Sequence, residues 1–166
     1  MRHFPLFADL RGRRVLVVGG GEVAERKVRL LRATGASVDI VAREIAAGEL
    51  STWVAAALVS WLAHDFEESQ LDGATLVIAA TDDSALNDRV ATAARARHLL
   101  CNVVDDAERS GFIVPAIVDR SPLVIAISSG GAAPVLARWV RSRIEASFDE
   151  SFGVLDAPAI LLVQGL

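Results

Sequence analysis

The sequence carries one cysteine, Cys101, in 166 residues. A lone thiol excludes an internal disulfide and does not make a structural zinc site. Cys101 is expected as a buried strand residue rather than a reactive thiol. A basic surplus is also missing. The formal charge is −4 and the pI about 5.4, which disfavours a general nucleic-acid binder. No uninterrupted apolar run reaches the roughly 18 residues that a membrane span needs. The start, Met1-Arg-His-Phe-Pro5 and then Asp9, has no apolar stretch of signal-peptide length. These absences point to a cytoplasmic protein with neither a nucleic acid nor a membrane as partner. Internal repeats and low-complexity tracts are absent as well.

What the chain does have is apolar residues, 52% of the total. That argues against disorder over most of the length. The size suits one well-buried core, or one core with a small appendage. Residues 13–18, 37–42, 58–62, 74–80 and 99–104 read as strands. Residues 22–34 and 84–97 have helical spacing, and Gly35 stops the first of these helices. Strands alternating with helices predict an α/β fold, a doubly wound (Rossmann-like) parallel sheet over residues 1–111. The pattern changes after Gly111. Residues 112–118 and 123–128 form a predicted β-hairpin turning at Asp119-Arg-Ser-Pro122, followed by a helix over 134–147 with Pro134 in its first turn. A hairpin and one helix cannot bury both of their faces, so residues 112–147 are expected to form a dimerisation and substrate segment of a homodimer. Residues 148–166 are assigned no role.

The first strand runs into Gly19-Gly20-Gly21-Glu22-Val23-Ala24, which matches G-x-G-x-x-G/A. The first glycine permits a tight turn, Gly21 lets backbone approach a pyrophosphate, and Ala24 allows close helix–strand packing. The motif follows a strand and opens a helix, which is the context that a dinucleotide site requires. Glu22 and Val23 complete the candidate cofactor-binding turn. The ribose-binding acid is harder to find. Asp39 stands at the right distance but inside its strand, where a structural role is favoured. Arg43 occupies the following loop, where an arginine suits a 2′-phosphate. Spacing alone therefore leaves both NAD and NADP open.

Ligands of open α/β sheets lie outside the carboxyl ends of the strands. Thr81, Asp82, Asn102 and Asp105 should gather there with the glycine turn. Thr81 and Asp82 are open to two readings, ligand contact or capping of the next helix. Asp105 closes a strongly apolar strand, and a carboxylate there suits a general base or a group that steers a metal ion. Asp106 is read as solvated.

Six segments then share one spacing: Gly19-Gly-Gly-Glu-Val-Ala-Glu-Arg-Lys27, Ala79-Ala-Thr-Asp-Asp83, Cys101-Asn-Val-Val-Asp105, Phe112-Ile-Val-Pro115, Asp119-Arg-Ser-Pro122 and Ser128-Ser-Gly-Gly131. Together they resemble the N-terminal region of siroheme synthase, the precorrin-2 dehydrogenase/sirohydrochlorin ferrochelatase family, over residues 1–147. The resemblance implies an NAD-binding domain with a dimerisation region, and oxidation of precorrin-2 to sirohydrochlorin with NAD as hydride acceptor. It also implies, in many members, insertion of ferrous iron as a substrate. The family's shared catalytic aspartate falls on Asp105 and its phosphorylatable serine on Ser129; the alternative for Ser128 and Ser129 is a lead into the next helix. A polycarboxylate tetrapyrrole substrate would suit Arg120 and Arg138 as carboxylate contacts. No structural metal is expected. Family members continue into a larger helical region, and long forms add a uroporphyrinogen methyltransferase domain. Neither fits the 166 residues, so residues 148–166 are expected to depart from the family.

Overall fold

The computed structural model describes residues 2–148. The chain forms two compact units, the first ending at Ile113 and the second beginning at Val114.

The first unit is built outward from β1 (Arg14–Val18), whose residues 15–18 are almost completely buried. A strand covered on both faces reads as a continuous apolar run, and Val-Leu-Val-Val is such a run. Helix α1 (Glu22–Ala33) carries the chain to β2 (Ser37–Val41), and the short α2 (Glu49–Ala55) leads on to β3 (Ser60–Ala63). A 3₁₀ turn (Glu68–Leu71) then returns the chain to β4 (Leu76–Ala79) on the other side of β1. Helix α3 (Ser84–Ala96) precedes β5 (Leu100–Val103). The sheet is parallel throughout, in the order β3-β2-β1-β4-β5. The doubly wound expectation is therefore met. The order reverses between β1 and β4, and this switch point opens a crevice at the carboxyl end of β1.

Each face of the sheet has its own core. Val15 and Val17 pack with Ala24, Val28 and Leu31 of α1. Leu16 and Val18 pack with Val90, Ala91 and Ala94 of α3. Cys101 belongs to the second core, and burial pushes its thiol up to about 11. It is the buried strand residue that was expected.

Helix α2 was not foreseen. It has seven residues, too few for a strong periodic signal. Its first turn is served from another helix, since Leu50 N–H donates to the Glu25 carboxylate at 3.1 Å. β3 starts two residues later than expected because Leu58 and Val59 are held back by bonds to Trp53 O.

The second unit pairs β6 (Ala116–Arg120) antiparallel with β7 (Leu123–Ile127), and α4 (Pro134–Ser147) packs on them. The hairpin-plus-helix expectation holds, with two corrections. β6 begins only after Pro115, whose lack of an N–H disfavours a place in the ladder. The turn is also tighter than Asp119–Pro122, because Arg120 still pairs with Leu123, leaving Ser121 and Pro122 as the loop. Asp119 stabilises it, accepting from Ser121 N–H at 2.9 Å and from its hydroxyl at 2.6 Å. The part of the tail beyond Phe148 lies outside the described residues. Among those described, no helix is long and apolar enough to cross a membrane.

Candidate functional site

A cavity of about 780 Å³ opens at the carboxyl ends of β1, β2 and β4 in the first unit. Its floor is the glycine turn, and each glycine there answers a different constraint. Gly19 has φ +132°, and a Cβ on it would stand 2.3 Å from Ala80 O. A Cβ on Gly20 would stand 2.0 Å from Glu44 O, while Gly20 O accepts from Ala46 N–H at 2.8 Å. These two glycines are demanded by the protein's own backbone. Gly21 is not: a Cβ there would meet no protein atom within 4 Å, and its side faces the cavity.

Gly21 also heads α1. No side chain caps this terminus, and the first intrahelical bond runs from Glu25 N–H to Gly21 O at 3.0 Å. The N–H groups ahead of it therefore have no intrahelical acceptor, and the helix dipole favours an anion beside them. The start of α3 differs. Asp83 caps it, accepting from Ala85 and Leu86 N–H at 2.9 and 3.0 Å. One helix start on the crevice is thus closed by a carboxylate, and the other is open.

Glu22 and Val23 line the cavity, whereas Ala24 is fully buried in the core beneath it. Ala24 supports the turn by close packing and makes no wall. Thr81, Asp82 and Asp105 reach the cavity. The capping alternative for Thr81 and Asp82 is corrected, since Asp83 is the cap. Thr81 is clasped to Asn87, its hydroxyl donating to Asn87 Oδ1 at 2.8 Å and its carbonyl accepting from Nδ2 at 2.9 Å. Asp82 makes no hydrogen bond or ion pair among the described residues.

Asn102 is not brought to the cavity. It is buried on β5, and its Nδ2 donates to Phe112 O at 3.1 Å. The reason is the strand's alternation: Asn102 faces one side of the sheet, under the segment that follows β5, while the chain reaches the crevice only at Val104 and Asp105. Asp105 itself is exposed and has φ +59°, a left-handed conformation that aspartate tolerates better than most residues. Its neighbour Asp106 is structural. It accepts from Glu108 and Arg109 N–H and pairs with the Arg109 guanidinium at 2.9 Å.

At the β2 end, Asp39 is committed to Arg14 at 2.7 Å, and its side chain is only 16% exposed. It is not available to a ribose. Arg43 lines the cavity and pairs with Asp65 at 3.0 Å, with both groups largely in solvent. Reading from sequence missed His64, Asp65 and Arg89 as cavity-lining groups. The only available signal for His64 and Asp65 was their place just after the third strand. Arg89 gave none, because its helical position looks like an ordinary surface charge. Among the described residues, no three His, Cys, Asp or Glu side chains gather closely enough to hold a metal ion.

The remaining candidates lie on the second unit. Arg120 donates to Phe148 O and Asp119 O at 2.9 Å each. Arg138 is an exposed residue of α4. The Ser129 hydroxyl accepts from Ala133 N–H at 3.0 Å, at the start of α4, which is the helix-leading arrangement weighed for it.

A crevice at the switch point, two backbone-constrained glycines and a third left free describe a dinucleotide cradle. The family described as NAD(P)-binding matches residues 6–116. The chain belongs to this NAD(P)-binding family. Residues 120–147 match a second family, the sirohaem biosynthesis protein central region. The chain is 56% identical to siroheme synthase 1 of Yersinia enterocolitica over 159 residues, which is 96% of this chain and 34% of that protein. It is also 56% identical to siroheme synthase 1 of Pectobacterium atrosepticum over 155 residues, 93% of this chain and 32% of that protein. The chain thus spans about a third of the length of these curated relatives. Among solved structures it is similar to SirC, precorrin-2 dehydrogenase, with a TM-score of 0.77 and 29% identity over 91% of this chain and 74% of that one. The resemblance to the siroheme synthase N-terminal region is borne out.

Proposed function

We propose that the chain oxidises precorrin-2 to sirohydrochlorin, with NAD as the hydride acceptor. The observation that carries the cofactor half is Gly21. It is the one glycine of the turn that no protein atom requires, and it faces the cavity at an uncapped helix start. The substrate half rests on the similarity to siroheme synthases and to SirC, precorrin-2 dehydrogenase. The residues fit the cofactor. Gly21 and the N–H groups of α1's first turn would receive the pyrophosphate, and the loop at Arg43 and Glu44 would meet the adenosine end. The open alternative, NADP, would call on Arg43, whose exposed ion pair with Asp65 a phosphate could displace at little cost, so the assay below compares the two cofactors.

When bound, NAD supplies the hydride acceptor. The oxidation removes two hydrogens from the macrocycle, one as hydride and one as a proton. In this reading Asp105 takes the proton; in support, it lines the same cavity as the glycine turn, is exposed, and has no ion-pair partner within salt-bridge distance among the described residues. The balance is precorrin-2 plus NAD⁺ giving sirohydrochlorin, NADH and H⁺. Insertion of ferrous iron into the product by the same aspartate belongs to this reading as a second step. Arg120 and Arg138 are proposed as contacts for substrate carboxylates, and Ser129 as a phosphorylation site.

A homodimer is proposed as the working form. Its support is the exposed apolar stretch of α4, with Val135, Leu136 and Trp139 at helical spacing. Exposed apolar side chains grouped on one helix face suit a contact with a second copy of the chain.

The test is an anaerobic assay of precorrin-2 with NAD and NADP in parallel. NADH formation, with Asp105→Asn, which suits the left-handed backbone there, slowed about 10²- to 10⁴-fold at an unchanged melting temperature, is the expected result. Full turnover in that variant would remove Asp105 from the mechanism, and preference for NADP would overturn the cofactor assignment. Sirohydrochlorin absorbance followed with added ferrous iron tests the insertion step separately.

A further inference from the structure

Asn102 and Ser110 stand outside the cavity, and the proposed reaction gives neither of them a task. Both lie on the segment that carries Asp105. Strand β5 forms one edge of the five-stranded sheet, so the backbone groups on its outer side have no neighbouring strand. The chain supplies their partners by turning back. Gly111 N–H donates to Cys101 O at 2.7 Å, and Val103 N–H donates to the Ser110 hydroxyl at 2.9 Å. A side-chain oxygen thus stands in for the missing strand at the last residue of β5.

A serine hydroxyl has one donor and two acceptor positions, and here each is filled. Ser110 Oγ accepts from Val103 N–H at 2.9 Å and, at a longer 3.4 Å, from Asn102 Nδ2. It donates to Asp106 O at 2.6 Å. Val103 O, 3.1 Å away, is the competing acceptor, but it already receives Asp106 N–H at 3.1 Å. The buried Asn102 also donates to Phe112 O at 3.1 Å, so it holds the returning segment on both sides of Gly111. One hydroxyl therefore links Val103, two residues before Asp105, to Asp106, the residue after it.

The structure held in this way is a tight turn. The bond from Asp106 N–H to Val103 O closes it, and Asp105, its third residue, has φ +59°. A positive φ at that place in a turn selects glycine or asparagine. Aspartate adopts it only at a cost, so a turn left to itself would relax and carry the carboxylate elsewhere. The other restraints on this loop are ion pairs in contact with solvent, Arg109 with Asp106 and Asp88, and Arg2 with Glu108. Pairs of that kind contribute little. The half-buried hydroxyl is the restraint that acts on the turn itself.

We infer that Ser110 is a positioning residue: its hydroxyl, held by Asn102, ties Val103 to Asp106 and so fixes the backbone conformation that presents the Asp105 carboxylate to the cavity. This rests on the reading of Asp105 as the proton acceptor.

Ser110→Ala removes the link and leaves every cavity-lining side chain in place. In the precorrin-2 assay kcat should fall about ten- to a hundredfold, the cost of a small displacement of a reacting group. KM for precorrin-2 and NAD affinity by calorimetry should stay unchanged. Ser110→Thr, which keeps the hydroxyl, should restore most of the rate. In an Asp105→Asn background, Ser110→Ala should cost no further rate, because the serine acts through the carboxylate. A second readout needs no turnover. On ¹⁵N-labelled protein, the three-bond HN–Hα coupling of Asp105 should leave its positive-φ value in Ser110→Ala and keep it in Ser110→Thr. An unmoved coupling in Ser110→Ala, or an additive rate loss in the double variant, overturns the inference. A rise in KM alone would make Ser110 a substrate contact and overturn the positioning role as well. A wild type without turnover would remove the proposed reaction, and the coupling would still decide whether Ser110 sets the Asp105 backbone.

Discussion

The two units place their apolar residues in opposite ways. Up to Ile113 most of the apolar residues of the sheet and its helices are buried, in two clusters that cover both faces of the sheet, although Phe4, Phe7 and Leu58 are exposed. From Val114 on, Val118 and Ala137 are the only buried hydrophobic residues among those described, while Val135, Leu136 and Trp139 are more than half exposed. The first unit thus completes its own core and can hold a ligand crevice rigidly. Among its described residues, the second has the elements of a fold with little buried apolar surface of its own. A site made of backbone, such as the glycine turn, needs the first kind of environment; a surface that recognises another chain needs the second.

The largest effect that would break this comparison is at Gly20. Gly20→Val places carbon against Glu44 backbone, which cannot rotate away. The variant should lose at least about 3 kcal/mol of stability, read from a denaturant melt. A wild-type-like melt would mean that the first unit is less tightly determined than its packing implies.

A smaller effect belongs to the second unit. Trp139→Asp on α4 puts a charge on its exposed apolar face. It should weaken the proposed self-association by about 2 kcal/mol, roughly thirtyfold, with the monomer appearing in light scattering. NAD affinity should stay unchanged. A variant that remains fully dimeric would take Trp139 out of the interface.

The smallest effect sharpens the burial of the first unit through Cys101. Its thiol is pushed up to about 11 by burial, from an ordinary value of 9.0. Below pH 9 both the folded and unfolded chains hold the proton, and this contribution is fully present. As pH rises toward 11 the unfolded chain ionises first, so stability falls, by about 1.4 kcal/mol at pH 10 from this group. Denaturant melts at pH 8 and 10 should show the loss, and Cys101→Ala should lack that part of it. An equal loss in both proteins would place the thiol in contact with solvent.

The contrast between the units also explains what the sequence made legible. β1, α1, β4, α3 and β5 are long apolar or amphipathic runs whose pattern is set by burial on a sheet, and they fall within two residues of where they were expected. The glycine motif was legible because backbone geometry dictates residue type. What escaped depends on partners distant in sequence. Helix α2 is capped by Glu25, a residue 25 positions away from Leu50. Asn102 looked like a crevice residue by its nearness to Asp105, but it turns to Phe112 instead. The cap of α3 came from Asp83 rather than from the two residues before it, a one-residue choice that spacing cannot make. The separate reasons for Gly19, Gly20 and Gly21 became visible only once Ala80 and Glu44 were in place around them.

Gly21 gives the most direct test of the central claim, that the turn is shaped for a dinucleotide rather than for the fold. A Cβ at Gly21 would meet no protein atom within 4 Å and the side faces the open cavity, so Gly21→Asp should keep the melting temperature within about 3 °C. Its carboxylate would enter the space assigned to the pyrophosphate, and NAD binding by calorimetry should weaken at least about a hundredfold. Unchanged NAD affinity in a folded Gly21→Asp protein would contradict the account.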